Sequence, residues 1–107
     1  MFRRTVLGLA AICLAPQAWA AGDKSVICTE TAKVVQVAVT ERARGRGADG
    51  VKRQLTTGAG KVEARLTPMV APLVDWVFTL DSGEIGAPNA ARTVTEKYHA
   101  GCMGFER

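Results

Sequence analysis

The stretch from Ser25 to Ala43, SVICTETAKVVQVAVTERA, carries two periods at once. Val35, Val37 and Val39 alternate as in a half-buried strand. Cys28, Ala32, Val35 and Val39, however, recur at the three- and four-residue spacing of one helix face, with Lys33, Gln36 and Thr40 directed elsewhere. Length decides between the two readings. Strands usually run for about 3–10 residues, so a periodic run of this extent predicts an amphipathic α-helix and, with it, an all-α chain.

Toward the N-terminus lies PQAWAAGDK, from Pro16 to Lys24. Before it, Met1 to Arg4 form a short basic start and Val6 to Leu14 (VLGLAAICL) an uncharged run. Nine residues of helix rise only about 13–14 Å, roughly half of a bilayer's hydrocarbon core, so the run does not span. Ala18-Trp19-Ala20 supplies the small-x-small pattern of a signal peptidase site, with the cut expected between Ala20 and Ala21. Cys13 follows Ile12 inside the apolar run and is poorly placed for lipidation. The expected organisation is therefore a cleaved secretory signal over residues 1–20 and a single small helical domain over 21–107, exported to a periplasm or secreted. No later stretch is long and apolar enough to cross a membrane.

Export changes what the composition means. Losing Arg3 and Arg4 lowers the formal charge from +4 to +2, and nucleic-acid binding is not indicated. Cys28 and Cys102 become the remaining cysteines. In an oxidising compartment, two cysteines near opposite ends of a small domain are expected to form one disulfide, a covalent staple of the kind that small cores often use. There is no C-x-x-C to suggest thiol exchange.

Toward the C-terminus, RGRGADG (Arg44 to Gly50) is a loop by composition, and Asp49 is expected to cap a short helix through GVKRQL. After the break at Thr57 to Gly60, Val62 and Leu66 sit four apart and Thr67-Pro68 is a suitable helix start. Pro72 predicts either a start near Ala71 or an early distortion, and the helix should end near Leu80. LVDWVFTL, Leu73 to Leu80, is the most apolar stretch of the expected domain. Leu73, Val74, Val77 and Leu80 should form the central core face, with Trp76 and Phe78 filling gaps or reaching the surface. Asp75 should face water or an arginine, because an unpartnered buried carboxylate costs several kcal/mol. A last helix from about Pro88 to Cys102 places Ala91, Val94, Tyr98 and Cys102 on one stripe. The expected fold is a small bundle of three to four short helices with a disulfide joining the first and last.

Cys28, the VDWV-type aromatic helix within Leu73 to Leu80, and the Tyr98-x-x-x-Cys102 ending together resemble small, exported, mostly helical proteobacterial proteins with these features. The resemblance implies location and fold class and carries no catalytic residues.

Several motifs invite stronger chemistry. Gly45-Arg46-Gly47-Ala48-Asp49-Gly50 matches G-x-G-x-x-G, but it does not follow a strand directly and the chain is too short for the parallel sheet of a dinucleotide site. Gly58-Ala59-Gly60-Lys61 resembles the end of a phosphate loop, yet Leu55 replaces its first glycine and Val62 its magnesium-binding hydroxyl residue. His99 is the single histidine and lacks the companions a metal site needs. Glu63, Asp75, Asp81 and Glu84 show no paired acid and base spacing. No cofactor or metal is implied. The basic run of Arg42, Arg44, Arg46, Lys52 and Arg53 against Asp49 reads as a solvated loop or as contact with an anionic envelope surface. No aromatics interleave with it, so base stacking is not suggested. The expectation for function is a protein-interaction or envelope-associated binding module using Trp76 and Phe78 or Arg42, Arg44 and Arg46, in the general class of small periplasmic chaperones. The alternative is a small hydrolase-like enzyme using His99 with an acidic partner.

Overall fold

The computed structural model describes residues 24–105; Cys13 and the expected cut between Ala20 and Ala21 fall outside them. Burial along the first helix, α1 (residues 24–43), follows the helical period. Cys28, Ala32, Val35 and Val39 are all buried, joined by Thr31 and Ala38, while Lys33 and Gln36 are exposed. The valines tolerate a helix because one side-chain rotamer remains open to them there, and their short side chains let neighbouring helices approach closely. Helix α1 stops at Gly45, whose φ of 93° suits a residue without a Cβ. The Arg46 amide donates to the Glu41 carbonyl and the Gly45 amide to the Arg42 carbonyl, the paired bonds of a Schellman ending.

Helix α2 (Ala48–Thr56) begins after Gly47, which offers no side-chain cap. The expectation that Asp49 caps this helix is corrected: the helix starts one residue ahead of it, so Asp49 lies in the first turn and acts only on the positive end of the dipole. Val51 and Leu55 point into the core. At Gly58 the chain passes so close to α2 that an added Cβ would lie 2.9 Å from the Gln54 carbonyl oxygen, which explains the glycine. The Val62 amide then bonds back to the Leu55 carbonyl at 2.9 Å.

A 3-10 turn (Ala64–Leu66) leads into α3 (Thr67–Thr79). Pro68 occupies the first turn, where no amide donor is required. Pro72 lies inside the helix, and both prolines are exposed, so the bond that Pro72 cannot give to the Pro68 carbonyl is lost on the solvent side. The helix consequently starts at Thr67 and not near Ala71. It ends at Thr79, as expected.

Helix α4 (Ser82–Ile85) is a single turn between the helix expected to end near Leu80 and the one expected from about Pro88; it delivers Ile85 to the core. Asn89, with φ 60°, turns the chain into α5 (Ala90–Gly104), two residues later than expected. The described residues are thus all-α, with five α-helices where three or four were expected, the added one being α4.

Three cross-links fix how α1 and α5 lie. The Lys24 ammonium donates to the Phe105 carbonyl at 2.7 Å, Cys28 is disulfide-bonded to Cys102, and the Tyr98 hydroxyl donates to Thr31 Oγ1 at 2.8 Å. One residue number rises as the other falls, so the first and last helices run antiparallel. The core lies between this pair and the α2 and α3 helices, and is built chiefly from Val35 and Val39, Val51 and Leu55, and Val70, Val74 and Val77.

Candidate functional site

Helix α3 has a composition suited to burial on all sides, and it is not so buried. TPMVAPLVDWVFT contains one charged residue. Val70, Val74 and Val77 are fully buried, with Leu73 and Phe78 half-buried beside them, so the expected core face is correct except that Leu73 and Leu80 lie at its edge. The opposite side, spaced i, i+4, i+8 along the helix, presents Pro68, Pro72 and Trp76 to solvent, with Ala71 also exposed. Trp76 is 39% exposed.

The single charge on α3 is balanced locally. Asp75 faces water as expected, with its side chain 60% exposed, and Lys52 Nζ of α2 lies 2.7 Å from its Oδ1, a lysine in place of the arginine that was the other expectation. The hydrogen bond from Lys52 to the Asp75 carboxylate, with the carboxylate's charge, holds the lysine pKa above its ordinary value. Asp75 is itself exposed on the outer side of α3, one turn from Ala71 and from Thr79, so the side is mostly apolar and carries a single neutralised ion pair.

Trp76 is also positioned. Its ring centroid lies 6.0 Å from that of Tyr98, with the planes tilted by 48°, a separation typical of an aromatic pair. The Tyr98 hydroxyl donates to the buried Thr31, whose own hydroxyl donates a hydrogen bond to the Ile27 carbonyl at 2.7 Å. One turn beyond Tyr98 is Cys102. The indole therefore rests on a side chain that the disulfide and a partly buried hydrogen-bond chain hold in place.

The three arginines singled out from sequence meet different fates. Arg42 donates to the carbonyls of Val77 and Leu80, both at 2.8 Å, and lies 5.5 Å from the Phe78 ring centroid. Its guanidinium thus closes the C-terminal end of α3, where carbonyls lack helical donors, and covers Phe78. Arg44 and Arg46 converge on Glu41, at 3.3 and 3.7 Å. The basic run is largely occupied inside the molecule.

A cleft of about 260 Å³ opens between α1 and the loop after α2, floored by Val34, Val37, Leu55 and Val62 and rimmed by charged residues including Lys33 and Lys61. His99 is half-buried on α5 and does not line this cleft. Among the described residues, no group of three or more His, Cys, Asp or Glu side chains could hold a metal ion, and no helix is long and apolar enough to cross a membrane. A second exposed apolar group comprises Val26, Met103 and Phe105, near the termini of α1 and α5.

Sequence reasoning found Trp76 but missed Pro68 and Pro72 as its companions. The signal lies in their four-residue spacing, whereas the sequence suggests only a helix start at Pro68 and a distortion at Pro72. The turn at α4 was likewise signalled by Asp81-x-x-Glu84, the spacing that opens many helices. Compared with protein-family models, with curated sequences and with solved structures, the chain matches none.

Proposed function

We propose that the chain is an exported, disulfide-clasped helical module that acts by binding a protein partner through the outer side of α3, with Trp76 as the anchor. The observation that carries this reading is the exposure of Pro68, Pro72 and Trp76 on a helix largely composed for burial, where the one charge on that side, Asp75, is neutralised by Lys52. An apolar helix face costs free energy in water, at about 25 cal/mol per Å² of exposed apolar area. A covering partner removes that cost. Large aromatics set on a firm base are the residues that most often dominate interfaces, and Trp76 rests on Tyr98.

The chemistry of this side favours a protein over an anionic envelope surface. Membrane-surface helices pair an apolar face with a rim of lysine and arginine, whereas Arg42 is committed to capping α3 and Lys52 to Asp75. Export is supported by the Ala18-Trp19-Ala20 pattern and by a disulfide of the kind favoured in oxidising compartments.

The test is site-specific photo-crosslinking in the native cell envelope, with the reactive group at Thr79 on the outer side of α3 and a control group at the exposed Arg53 of α2. A crosslinked product from Thr79 that disappears in Trp76→Ala is expected. Equal products from both positions, or one indifferent to Trp76→Ala, refute the reading. Intact mass of the same material tests export through the cut after Ala20 and the loss of two hydrogens on oxidation.

A further inference from the structure

The cleft between α1 and the loop after α2 shares no residue with the exposed side of α3. We propose that it binds a small aliphatic carboxylate, the anion of a medium-chain fatty acid, with the hydrocarbon tail on the cleft floor and the carboxylate at Lys61. The inference goes beyond the binding-module reading and is independent of it.

The loop that forms one wall of the cleft is fixed by its own backbone. Gly58 passes close against α2, the Lys61 amide donates to the Gly58 carbonyl at 3.1 Å, and the Val62 amide donates to the Leu55 carbonyl at 2.9 Å. These bonds tie Val62 to α2, so that it joins Leu55 and the α1 residues Val34 and Val37 in one apolar floor. The volume of about 260 Å³ lies below the roughly 300–1,000 Å³ of clefts that take drug-sized molecules. At about 30 Å³ for a group the size of a water molecule, it holds roughly eight or nine carbons. That matches the tail of a medium-chain acid. A leucine side chain, with four carbons, would leave half of the space empty, and the two acyl chains of a phospholipid would not fit.

Charge selects an anion. The ionic side chains along the cleft are Glu30, Lys33, Lys61 and Glu63. Glu30 is paired with Lys33 at 3.2 Å and Glu63 with Arg65 at 3.0 Å, whereas the exposed Lys61 pairs with no carboxylate of the described residues. Both negative charges are thus met, and one positive charge remains beside the apolar floor. A molecule with a single negative group on a hydrocarbon tail matches that pattern, and a cationic one does not. The two parts contribute on different scales. Each methylene that leaves water for the floor adds up to about fourfold in affinity, while an ion pair at an exposed rim adds roughly twofold to fivefold. The tail therefore sets the affinity, and Lys61 sets the sign and orientation of the ligand.

The experiment is an NMR titration of the oxidised, nitrogen-15-labelled protein recovered after export of the full chain, with sodium octanoate as the probe up to about 10 mM, which covers the weak affinity of a ligand with so few atoms. The expected result is saturable movement of the Val34, Val37, Leu55 and Val62 amide signals with a dissociation constant of roughly 0.1–1 mM, while the Trp76 indole signal stays in place. From butanoate through hexanoate to octanoate the affinity should rise about twofold to fourfold per methylene, and it should level off by dodecanoate, whose tail outgrows the cleft. Lys61→Met, on the exposed loop, should weaken octanoate about twofold to fivefold, and octylamine should bind more weakly than octanoate. Val37→Phe, which fills the cleft, should abolish the movement, with circular dichroism confirming that the variant is folded; the Lys61→Met result does not depend on it. Absence of saturation by about 10 mM, movement centred on Trp76 or on Val26, Met103 and Phe105, affinity indifferent to chain length, or equal binding of octanoate and octylamine overturns the proposal. A peptide ending in a leucine carboxylate that displaces octanoate at lower concentration rejects the small acid as occupant. The Trp76-dependent crosslink in the envelope is read separately, so either result can fail while the other stands.

Discussion

The disulfide between Cys28 and Cys102 joins residues 74 apart, with Cα atoms separated by 5.7 Å. Breaking it frees the unfolded chain from a closed loop that includes nearly the whole described domain. With a loop of that size, the chain-entropy relation gives about 4.5 kcal/mol at 25 °C. Domains of this length lose about 4–8 °C of melting temperature per kcal/mol, so the reduced protein should melt roughly 20–35 °C below the oxidised form. Cys28→Ala with Cys102→Ala should cost slightly more, since Cys28 is buried and truncating it removes a packed atom, worth about 0.5–1.5 kcal/mol by analogy with Ile→Val. The assay is urea unfolding followed by circular dichroism for three samples: oxidised, reduced, and double variant. Because the effect acts on the unfolded ensemble, the reduced chain should also show a larger m value, as an unlinked chain exposes more surface. A difference below about 1 kcal/mol between oxidised and reduced protein, or an unchanged m value, refutes the reasoning and assigns the stability to the valine core alone.

Arg42→Met removes two hydrogen bonds from a charged donor at the end of α3 and should cost about 2–3 kcal/mol in urea unfolding; a loss under about 1 kcal/mol would remove Arg42 from its capping role. Thr31→Val leaves the Tyr98 hydroxyl without its acceptor and should cost about 1–3 kcal/mol, while Tyr98→Phe, which leaves Thr31 bonded to Ile27, should cost only about 0.5–1.5 kcal/mol; the order of the two variants is the check. The Lys52 ammonium is held above its ordinary pKa by Asp75. Its contribution is therefore complete below the unfolded value of about 10.4 and is lost as pH rises through the folded value. The stability difference between wild type and Lys52→Met should be level through neutral pH and close in the alkaline range. A difference that closes at acid pH but persists at alkaline pH would contradict this assignment.

Helix α1 was legible because burial obeys a local rule. Once Cys28, Ala32, Val35 and Val39 fall on one face, any partner that covers the helix covers those four, whatever its identity. The pairing of Cys28 with Cys102 was legible for a different reason: after the expected cut, only one pairing remains. The α3 core face was readable in the same way as α1, while the single turn of α4 was too short for periodicity to declare itself.

The destinations of polar side chains were not legible, and Arg42 shows why. Sequence places it at the head of a basic run, and nothing in its neighbours distinguishes it from Arg44. It reaches carbonyls 35 and 38 residues away because α1 and α3 bring their C-terminal ends together. Asp75 and Lys52 meet by the same kind of long-range placement. The sequence alone determined the longer helices and which side of each must be covered, since propensity and period act over a few residues. Tertiary structure decided which charges neutralise one another and which apolar side remained in water. Those outcomes depend on where helices far apart in the chain come to rest, and no local pattern encodes that distance.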